Sequence, residues 1–334
     1  MQVQAYAAMS ASQPLEPYTF TLPDLGPDEV RIDVTHCGIC RSDIDYIDNR
    51  FGASAYPIVA GHEVIGTVAA RGSAVKHLAV GQRVGVGPLR SACLRCSYCA
   101  SGRDNLCSAL QLTIAGGNRG GFAKAIQLDG SFAFPIPDGL ASESAAPLLC
   151  AGITIYAPLR RFSGPADRVG VIGIGGLGHL GLQFAAKRGS EVTALSTSAD
   201  KAPEAARLGA HHFIHTRDAA QLRAAAGSLD LILSTVDADL AWGDYLALLR
   251  PDGVICIVGA SLGPIGVPAA GLVMKQNSFV GSAAGSRATT QEMLEFAARH
   301  GIQAQVDVLP AAEVNAAVET LRKTAPAHRL VLRF

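Results

Sequence analysis

Three glycines, Gly173, Gly175 and Gly178, constrain the fold more than any other feature of this sequence. They follow the apolar run 168–172, which has the character of a buried strand, and they open the helix-like stretch 177–188. At such a junction the first glycine permits a tight turn, the second admits a pyrophosphate close to the backbone, and the third lets the helix pack on the strand. The same spacing in another context would mean little in a chain with 36 glycines. Here it predicts a strand-turn-helix unit that binds a dinucleotide.

Strand-like and helix-like segments alternate through residues 151–284. After the glycine motif, strand-like runs lie near 191–195, 213–215, 229–233, 253–258 and 278–281, and helix-like runs lie near 200–208, 218–226 and 239–249. This order is typical of a parallel, doubly wound sheet with helices on its two faces. We therefore predict an α/β dinucleotide-binding domain in this part of the chain.

The first 150 residues have a different composition and periodicity. Short segments rich in Val, Ile and Gly lie at 30–36, 64–70, 83–86 and 122–128, and the first of them alternates apolar and polar side chains. A period of two residues is typical of half-buried strands. The sequence thus predicts a β-rich domain at 1–150. The chain ends with helix-like stretches at 289–299 and 311–323 and an apolar tail at 328–334.

The charge balance argues against one class of partner. The 334 residues include 28 Lys and Arg against 28 Asp and Glu, which gives a net charge of zero with His neutral. No basic block is present to attract phosphodiester backbones. The N-terminus lacks a basic start followed by an apolar core, and no apolar run approaches the ~18 residues of a membrane helix. We expect a soluble cytoplasmic protein that binds neither nucleic acid nor membrane.

Half of the eight cysteines lie within one short segment, at Cys93, Cys96, Cys99 and Cys107. Their spacing suits a zinc ion held tetrahedrally by four thiolates, a structural site with no open position for catalysis. Disulfide pairing is one alternative, and a reducing compartment disfavours it. A zinc ribbon that binds nucleic acid is another, but it would bring more basic and aromatic residues than this segment contains.

A second group of metal-ligating side chains surrounds residues 37–63. Cys40 and His62 could supply two ligands of a zinc ion, and Cys150 is the one remaining thiol beside a plausible domain edge. A catalytic zinc keeps three protein ligands and one open position, so this set would suffice. Taken one at a time, these residues have plainer interpretations, because a buried Cys is most often a small apolar side chain.

Together these segments resemble the zinc-dependent medium-chain alcohol dehydrogenases, and among them the cinnamyl-alcohol-dehydrogenase-like branch. The resemblance is carried, in the family's order, by residues 40–43, 61–63, the cysteines of 93–107, 147–154 and 173–178. It implies a GroES-like catalytic domain at 1–150, a Rossmann nucleotide domain at 151–284, and a return to the catalytic domain at 285–334. It also implies two Zn²⁺ per chain, one catalytic and one structural, and a homodimer paired through the strand near 278–282, with a tetramer as the alternative.

Position by position, the resemblance assigns roles around the catalytic metal. Cys40, His62 and Cys150 match the metal ligands. Glu63 matches a carboxylate behind the metal that coordinates it only occasionally. Asp43 matches the carboxylate that accepts a hydrogen bond from the ligating His and fixes its tautomer.

The proton relay departs from the family pattern. Ser42 matches the hydroxyl that passes the alcohol proton outward, but Asp45 stands where many relatives have the His that completes the relay. A carboxylate with its ordinary pKa near ~3.9 is a poor proton reservoir at pH 7, so water or His36 could substitute. Arg41 matches an Arg of more distant members that contacts the cofactor pyrophosphate. Cys37 is predicted to be a packed neighbour of the ligand site.

The second strand of the nucleotide domain indicates which dinucleotide is bound. No acid occupies the position that would bind the adenosine ribose of NAD. The strand instead ends in Ser196, Thr197 and Ser198, with Lys201 close behind, and hydroxyls with a cation suit the 2′-phosphate of NADP(H). The resemblance adds Gly176 and Leu177 in the glycine motif, Thr154, Val258, Ala260 and Ser282 around the nicotinamide, and Arg329 near the pyrophosphate.

The resulting hypothesis is an NADP-dependent zinc alcohol dehydrogenase that acts mainly as an aldehyde reductase on aromatic or medium aliphatic aldehydes. Among enzymes, the alternative is an NAD-linked polyol or secondary-alcohol dehydrogenase. The alternative from another class is a non-enzymatic protein that binds zinc or a dinucleotide and has lost the reaction. The presence of Cys40, Ser42, His62 and Cys150 argues against that last alternative.

Overall fold

A computed structural model of the chain describes residues 1–259, 263–324 and 328–334. The strands are β1 (Gln2–Ala8), β2 (Leu15–Thr21), β3 (Glu29–Ile39), β4 (Glu63–Arg71), β5 (Arg83–Val86), β6 (Leu89–Ser91), β7 (Gln111–Leu112), β8 (Ala125–Asp129), β9 (Ala133–Pro135), β10 (Arg168–Ile172), β11 (Glu191–Ser196), β12 (His212–His215), β13 (Leu229–Ser234), β14 (Leu249–Ile257), β15 (Ser278–Gly281), β16 (Val306–Pro310) and β17 (Arg329–Arg333). The α-helices are α1 (Arg41–Ile47), α2 (Ser97–Ala100), α3 (Ser142–Ala145), α4 (Ala151–Phe162), α5 (Gly178–Lys187), α6 (Ala202–Arg207), α7 (Ala219–Ala224), α8 (Trp242–Leu248), α9 (Ala269–Val273), α10 (Arg287–His300) and α11 (Val314–Lys323). Short 3₁₀ turns lie at Asp104–Leu106, Gly130–Phe132, Ala146–Leu149, Ala199–Lys201 and Ala311–Glu313.

The contacts between residues divide the chain into two compact units. One unit comprises Met1–Ile153 together with Gly285–Phe334, and the other comprises Thr154–Ala284. The first unit therefore contains both ends of the chain, whereas the second is one continuous segment.

The first unit is built on a largely antiparallel sheet with the strand order β16-β17-β3-β4-β5-β9, and β8 also pairs with β3. β3 forms because apolar residues such as Val30 and Ile32 alternate with polar ones and are fully buried in the core. The C-terminal strand β17 pairs antiparallel with β3, and Leu332 lies opposite Cys37. The end of the chain thus supports the strand that leads directly into Cys40.

The second unit contains a parallel sheet with the strand order β12-β11-β10-β13-β14-β15. The chain runs outward from β10 to β12 and then returns to the other side of β10 with β13. Ligands of doubly wound sheets bind at such a switch point, beyond the carboxyl ends of the strands. Gly173 follows β10, and Thr235, which follows β13, donates from its hydroxyl to the Ile172 carbonyl at 2.8 Å. The switch point therefore lies at the glycine motif.

Several elements differ from those predicted. The helix expected at 239–249 is shorter and spans Trp242–Leu248. It ends before Leu249 because that residue already pairs with Leu229 and belongs to β14. The short helix α1 escapes prediction because two turns give too few residues for a periodic signal. None of the helices in the described ranges combines the length and the apolar character that a bilayer crossing requires.

Candidate metal centre and cofactor site

Three segments of the first unit carry the candidate catalytic ligands. Cys40 lies at the junction between β3 and α1 and caps the N-terminus of that helix with extended backbone. His62 and Glu63 lie at the start of β4, which pairs with β3. Cys150 follows a 3₁₀ turn and immediately precedes α4. The central sheet and the starts of α1 and α4 thus bring residues that are distant in sequence close together.

The ligand atoms of these residues converge. Cys40 Sγ and Cys150 Sγ are 3.9 Å apart, and His62 Nε2 lies 3.3 Å from Cys150 Sγ. Together with a carboxylate oxygen of Glu63, these ligand atoms all lie within 4.8 Å of one another. Two thiols and an imidazole are the donor set of a catalytic zinc with an open position. The residues present therefore fit the metal that the sequence predicts.

Asp43 organises this cluster from behind. Its side chain is fully buried, and one carboxylate oxygen accepts hydrogen bonds from the backbone N–H of Gly61 and from His62 Nδ1, both at 2.8 Å. The other oxygen accepts from the backbone N–H of Cys40 at 2.8 Å. Nδ1 therefore faces the carboxylate and Nε2 faces the thiols, which is the orientation that a metal-ligating His needs. The position of Asp43 is the one that its predicted role requires.

Burial and hydrogen bonding determine where protons reside in the cluster. Burial lowers the pKa of His62, but the charges and hydrogen bonds of Asp43 and Cys40 together outweigh it and raise that pKa well above its ordinary value. The hydrogen bond between the two thiols lowers the pKa of Cys40 well below the ordinary thiol value and raises that of Cys150 well above it. Zinc binds thiolates and neutral imidazole, so binding of the metal would release protons from this cluster.

Glu63 forms an ion pair with Arg329, a residue that the family resemblance places near the cofactor pyrophosphate. Arg329 on β17 donates from Nη2 to Glu63 Oε1, and both side chains are buried. Burial raises the pKa of Glu63 to about 7, although the charge of Arg329 opposes this. Among the described residues, Glu63 Oε2 has no hydrogen-bond partner. A buried oxygen without a partner beside two thiols and an imidazole is further evidence for a cation at this position.

Cys37 is close in sequence to the metal centre but does not belong to it. Its side chain is fully buried, and burial raises the pKa of its thiol well above the ordinary value. A Cβ added to Gly61 would lie 2.8 Å from its sulfur, so the thiol is tightly enclosed. This environment is that of a packed core residue.

The cysteines of 93–107 form a second cluster, here called the cysteine lobe, with all four sulfurs within 4.8 Å of one another. The Cys96–Cys99 and Cys93–Cys107 sulfur pairs are 3.5 Å apart. Backbone N–H groups also point at sulfur, and those of Arg95 and Cys96 lower the pKa of Cys93 to about 6. All eight cysteines of the chain are free thiols. Four thiols in this arrangement fit a structural zinc.

Asp104 ties the cysteine lobe to the returning C-terminal segment, and the sequence interpretation misses it. It lies between Cys99 and Cys107 and is 2% exposed. Its Oδ2 accepts a hydrogen bond from the backbone N–H of Arg287 at 3.1 Å, at the start of α10. The two partners are 183 residues apart in the chain, so no local pattern could have indicated the contact.

The three glycines of the motif have the backbone properties that their predicted roles require. Gly173 has a φ of +85°, a backbone conformation that residues other than glycine rarely adopt. A Cβ on Gly178 would lie 1.8 Å from the carbonyl oxygen of Gly173, so the helix start can approach the turn only with glycine there. A Cβ on Gly175 would have no heavy atom of the described residues within 4 Å, which leaves space for a ligand. This loop fits a pyrophosphate.

Comparison with protein families agrees with this geometry. The family model described as Alcohol dehydrogenase GroES-like domain matches residues 26–138, and the one described as Zinc-binding dehydrogenase matches residues 176–299. The chain belongs to the zinc-binding alcohol dehydrogenases. The predicted family and the predicted fold class, a GroES-like domain with a Rossmann domain, are thereby confirmed.

Relatives of this dehydrogenase match nearly its whole length. It is 41% identical over 331 residues to the aldehyde reductase AdhA of Synechocystis sp., which covers 99% of this chain and 98% of the relative. It is 41% identical over 338 residues to the NADP-dependent alcohol dehydrogenase C of Mycobacterium bovis, with coverage of 99% and 98%. Among solved structures, the cinnamyl alcohol dehydrogenase of Sorghum bicolor matches with a TM-score of 0.95 at 38% identity, covering 100% of this chain and 98% of that one. The cinnamyl alcohol dehydrogenase of Helicobacter pylori complexed with NADP(H) matches with a TM-score of 0.89 at 29% identity and the same coverage.

The dehydrogenase has exposed hydroxyls after β11, where the 2′-phosphate is predicted to bind. Thr197 and Ser198 are exposed, and Ser196 Oγ accepts a hydrogen bond from the backbone N–H of Ser198 at 3.2 Å. Lys201 forms an ion pair with Glu204 at 2.8 Å. The hydroxyls are thus available to a ligand, while the cation already has a carboxylate partner within the protein.

The relay residue Asp45 lies between two arginines of the dehydrogenase. It is only 2% exposed, and one of its oxygens is 2.7 Å from Arg50 Nη1 and 3.4 Å from Arg41 Nε. Arg41 also donates to the Leu321 carbonyl at 3.3 Å. Arg50 lies beyond the end of α1 in an irregular segment, so no periodic pattern in the sequence indicates its contact with Asp45. Ser42 is half-buried beside them on α1.

The other predicted residues lie on several elements of both units. His36 lies on β3, its Nδ1 is 3.1 Å from Thr35 Oγ1, and burial lowers its pKa. Thr154 lies in the first turns of α4, and the backbone N–H groups of Val258 and Ser282 donate to Ser234 and Ile257 at 3.0 and 3.1 Å, respectively. Ala260 lies outside the described residues. The cofactor contacts assigned to these residues, to Arg41 and to Arg329 remain predictions.

Proposed function

We propose that this chain is an NADP(H)-dependent zinc alcohol dehydrogenase that works mainly as an aldehyde reductase on aromatic or medium aliphatic aldehydes. The observation that carries the proposal is the convergence of buried Cys40 and His62 with the partly buried Cys150 around a common centre. Relatives named aldehyde reductase, NADP-dependent alcohol dehydrogenase and cinnamyl alcohol dehydrogenase support the substrate class and the cofactor.

Cys40, His62 and Cys150 would hold the catalytic zinc, which supplies a Lewis acid that polarises the substrate carbonyl. Asp43 keeps the His62 ring in the tautomer and orientation that a ligand needs. Glu63 and Arg329 lie beside the cluster as a buried pair. Arg329 partly neutralises the carboxylate, which limits the negative charge that two thiolates and Glu63 would otherwise accumulate.

Ser42 is the residue proposed to exchange a proton with the substrate oxygen. Its hydroxyl can both donate and accept, so it can pass a proton in either reaction direction. The carboxylate of Asp45 is held by Arg50 and Arg41. We therefore propose that Asp45 does not store the proton and that water completes the relay.

NADP(H) is proposed to bind with its pyrophosphate at the glycine motif and its 2′-phosphate at Ser196, Thr197, Ser198 and Lys201. The support for the pyrophosphate position is the open space at Gly175 and the close approach of Gly178 to Gly173. The support for the phosphate position is the pair of exposed hydroxyls after β11. The adenosine ribose of NAD would meet no carboxylate there.

We propose a homodimer formed through β15, with a tetramer as the alternative. β15 (Ser278–Gly281) is the end strand of the sheet in the second unit and pairs with β14. Backbone groups on the outer side of an edge strand can pair with another chain. The eight free thiols support a reducing compartment such as the cytoplasm.

The test is a panel of aldehydes assayed with NADPH and, separately, with NADH. We expect turnover of aromatic and medium aliphatic aldehydes with NADPH at a much higher kcat/KM than with NADH. Cys40→Ala should abolish turnover, whereas Cys37→Ala, the matched control at a buried thiol outside the cluster, should retain it. A preference for NADH would favour the polyol or secondary-alcohol alternative. Binding of NADPH without turnover of any aldehyde would favour the non-enzymatic one.

A further inference from the structure

A histidine on the edge strand contacts the loop where the 2′-phosphate is proposed to bind. β12 is the end strand of the sheet, and its last residue, His215, lies opposite Ser196 in the parallel register with β11. His215 Nε2 is 3.1 Å from the carbonyl oxygen of Thr197. A carbonyl only accepts hydrogen bonds, so Nε2 carries a hydrogen and donates it. Nδ1 can then bind or lose a proton without breaking this contact.

The charged groups on the segments around this loop include both signs. Lys201 is paired with Glu204 at 2.8 Å, so that cation is largely neutralised within the protein. Asp218 caps α7, and its pKa is lowered chiefly by the N–H of Ala220 and to a smaller degree by His215. The charged groups on the segments that pack around β12 also include Glu191 on β11, Asp200 before α6, Arg207 on α6, Arg217 after β12, and Arg223 on α7. A positive charge on the His215 imidazole would therefore act beside a loop whose nearest cation, Lys201, is already paired with Glu204.

We propose that His215 is a specificity-determining residue whose protonated imidazole strengthens the preference for NADP(H) over NAD(H). The inference rests on the proposed 2′-phosphate site at Ser196, Thr197, Ser198 and Lys201. An imidazole ordinarily changes its charge between about pH 5 and 8. A cation attracts the nearly dianionic phosphate of NADP(H), whereas NAD(H) has no phosphate there to gain from it.

The sign of the pH dependence follows directly. The imidazolium form is populated at low pH, so the ratio of NAD⁺ to NADP⁺ dissociation constants is larger there and falls as the pH rises. By linkage, bound NADP⁺ favours the protonated imidazole by the same factor. The 2′-phosphate itself takes up a proton near pH ~6, which opposes the trend, but it does so equally in every variant. The contribution of His215 is therefore the difference between variants.

The experiment measures dissociation constants of NADP⁺ and NAD⁺ by calorimetry between about pH 6 and 8.5 for the full-length protein without substrate. His215→Gln removes the titratable charge while keeping an N–H donor, and His215→Lys supplies a cation throughout this range. The matched control is His212→Gln, at the other end of β12, where the imidazole pairs with Glu191 at 2.6 Å. Between the two pH limits, we expect the NADP⁺ preference of the wild type to change by roughly 3- to 10-fold relative to that of His215→Gln.

His215→Lys should keep the preference above that of His215→Gln at both limits, and His212→Gln should follow the wild type. The proposal is overturned if His215→Gln and the wild type show the same pH dependence, or if His212→Gln loses it equally. A merely structural role for His215 would change the affinity for both cofactors without changing the slope. If no protein in the series prefers NADP⁺ at any pH, the proposed cofactor is at fault rather than the role of His215.

Discussion

The two cysteine clusters of this dehydrogenase use similar ligands but are supported in different ways. In the cysteine lobe, the ligands come from one short segment and neighbouring backbone N–H groups point at the sulfurs, as Cys96 N–H does to Cys93 at 3.4 Å. In the catalytic cluster, Cys40, His62 and Cys150 come from three segments, and Asp43 accepts three hydrogen bonds that hold two of these segments. The lobe is a local structure, whereas the catalytic cluster depends on tertiary contacts.

The two clusters also differ in whether their ligands leave a coordination position open for a substrate. Four thiols complete a tetrahedral zinc site and leave no position for a substrate. Two thiols and an imidazole leave one position, and Glu63 lies beside them with an oxygen that has no partner among the described residues. We therefore expect loss of the catalytic cluster to remove activity and loss of the lobe to remove stability.

The largest expected effect is that of Cys40→Ala on turnover. Removing one of three ligands should reduce aldehyde reduction by roughly 10³-fold or more, since the Lewis acid contributes several kcal/mol to transition-state stabilisation. Zinc analysis should find one ion fewer per chain, with an unchanged circular-dichroism spectrum. Substantial activity in a variant that has lost this zinc would remove the distinction between the clusters.

The next effect concerns Asp43→Asn, which tests the support of the catalytic cluster. An amide cannot accept all three hydrogen bonds, and its NH₂ group would face either His62 or the backbone N–H of Cys40. We expect zinc affinity at this cluster to fall roughly 10- to 100-fold, as measured by competition with a chelator. The control is Asp33→Asn, an exposed carboxylate on β3, which should behave as wild type. Equal affinities for both variants would show that Asp43 does not position His62.

Cys107→Ser probes the cysteine lobe. Loss of one thiolate should release the lobe's metal and lower Tm by roughly 5–10 °C, because metal binding contributes directly to folding. The kcat at a temperature where the variant is folded should stay within about threefold of wild type, since the lobe has no open position. Cys256→Ala, at a buried thiol outside both clusters, is the control for stability. A large loss of kcat with normal thermal stability would contradict the structural role.

The smallest catalytic effect is expected for Asp45→Asn. Because this carboxylate is held by Arg50 and Arg41, we expect alcohol oxidation to change by less than about threefold, whereas Ser42→Ala should reduce it by roughly 10²-fold. Stability should fall by about 1 kcal/mol, since the partly buried hydrogen bond from Arg50 loses its charged acceptor. The pH profile of kcat decides the matter. If Asp45→Asn is as damaging as Ser42→Ala and shifts that profile, the carboxylate is part of the relay.

The sequence predicts local features well in this chain. The cysteine lobe is visible because its four ligands lie within one segment, and the glycine motif is visible because it stands between a strand and a helix. In both cases the residues that must meet are neighbours in the sequence. The boundaries of β10 and β11 follow from the same local apolar patterns, and their bounds as predicted differ from the structure by no more than one residue.

The contacts that the sequence does not reveal are those between distant segments. Arg329 pairs with Glu63 across 266 residues, and Asp104 bonds Arg287 across 183. His215 reaches Thr197 only because β12 pairs with β11 in a particular register. The local sequence around Arg329, Arg287 and His215 gives no sign of these partners. Only the return of β17 to β3 and the order of strands in each sheet bring them together.

The most direct test of the account is an anomalous-difference map at the zinc absorption edge from crystals of the fully loaded protein. We predict two peaks per chain, one bounded by Cys40, His62 and Cys150 and the other by the four thiols of the cysteine lobe. A single peak in the lobe, with the side chains of Cys40, His62 and Cys150 directed away from one another, would contradict it.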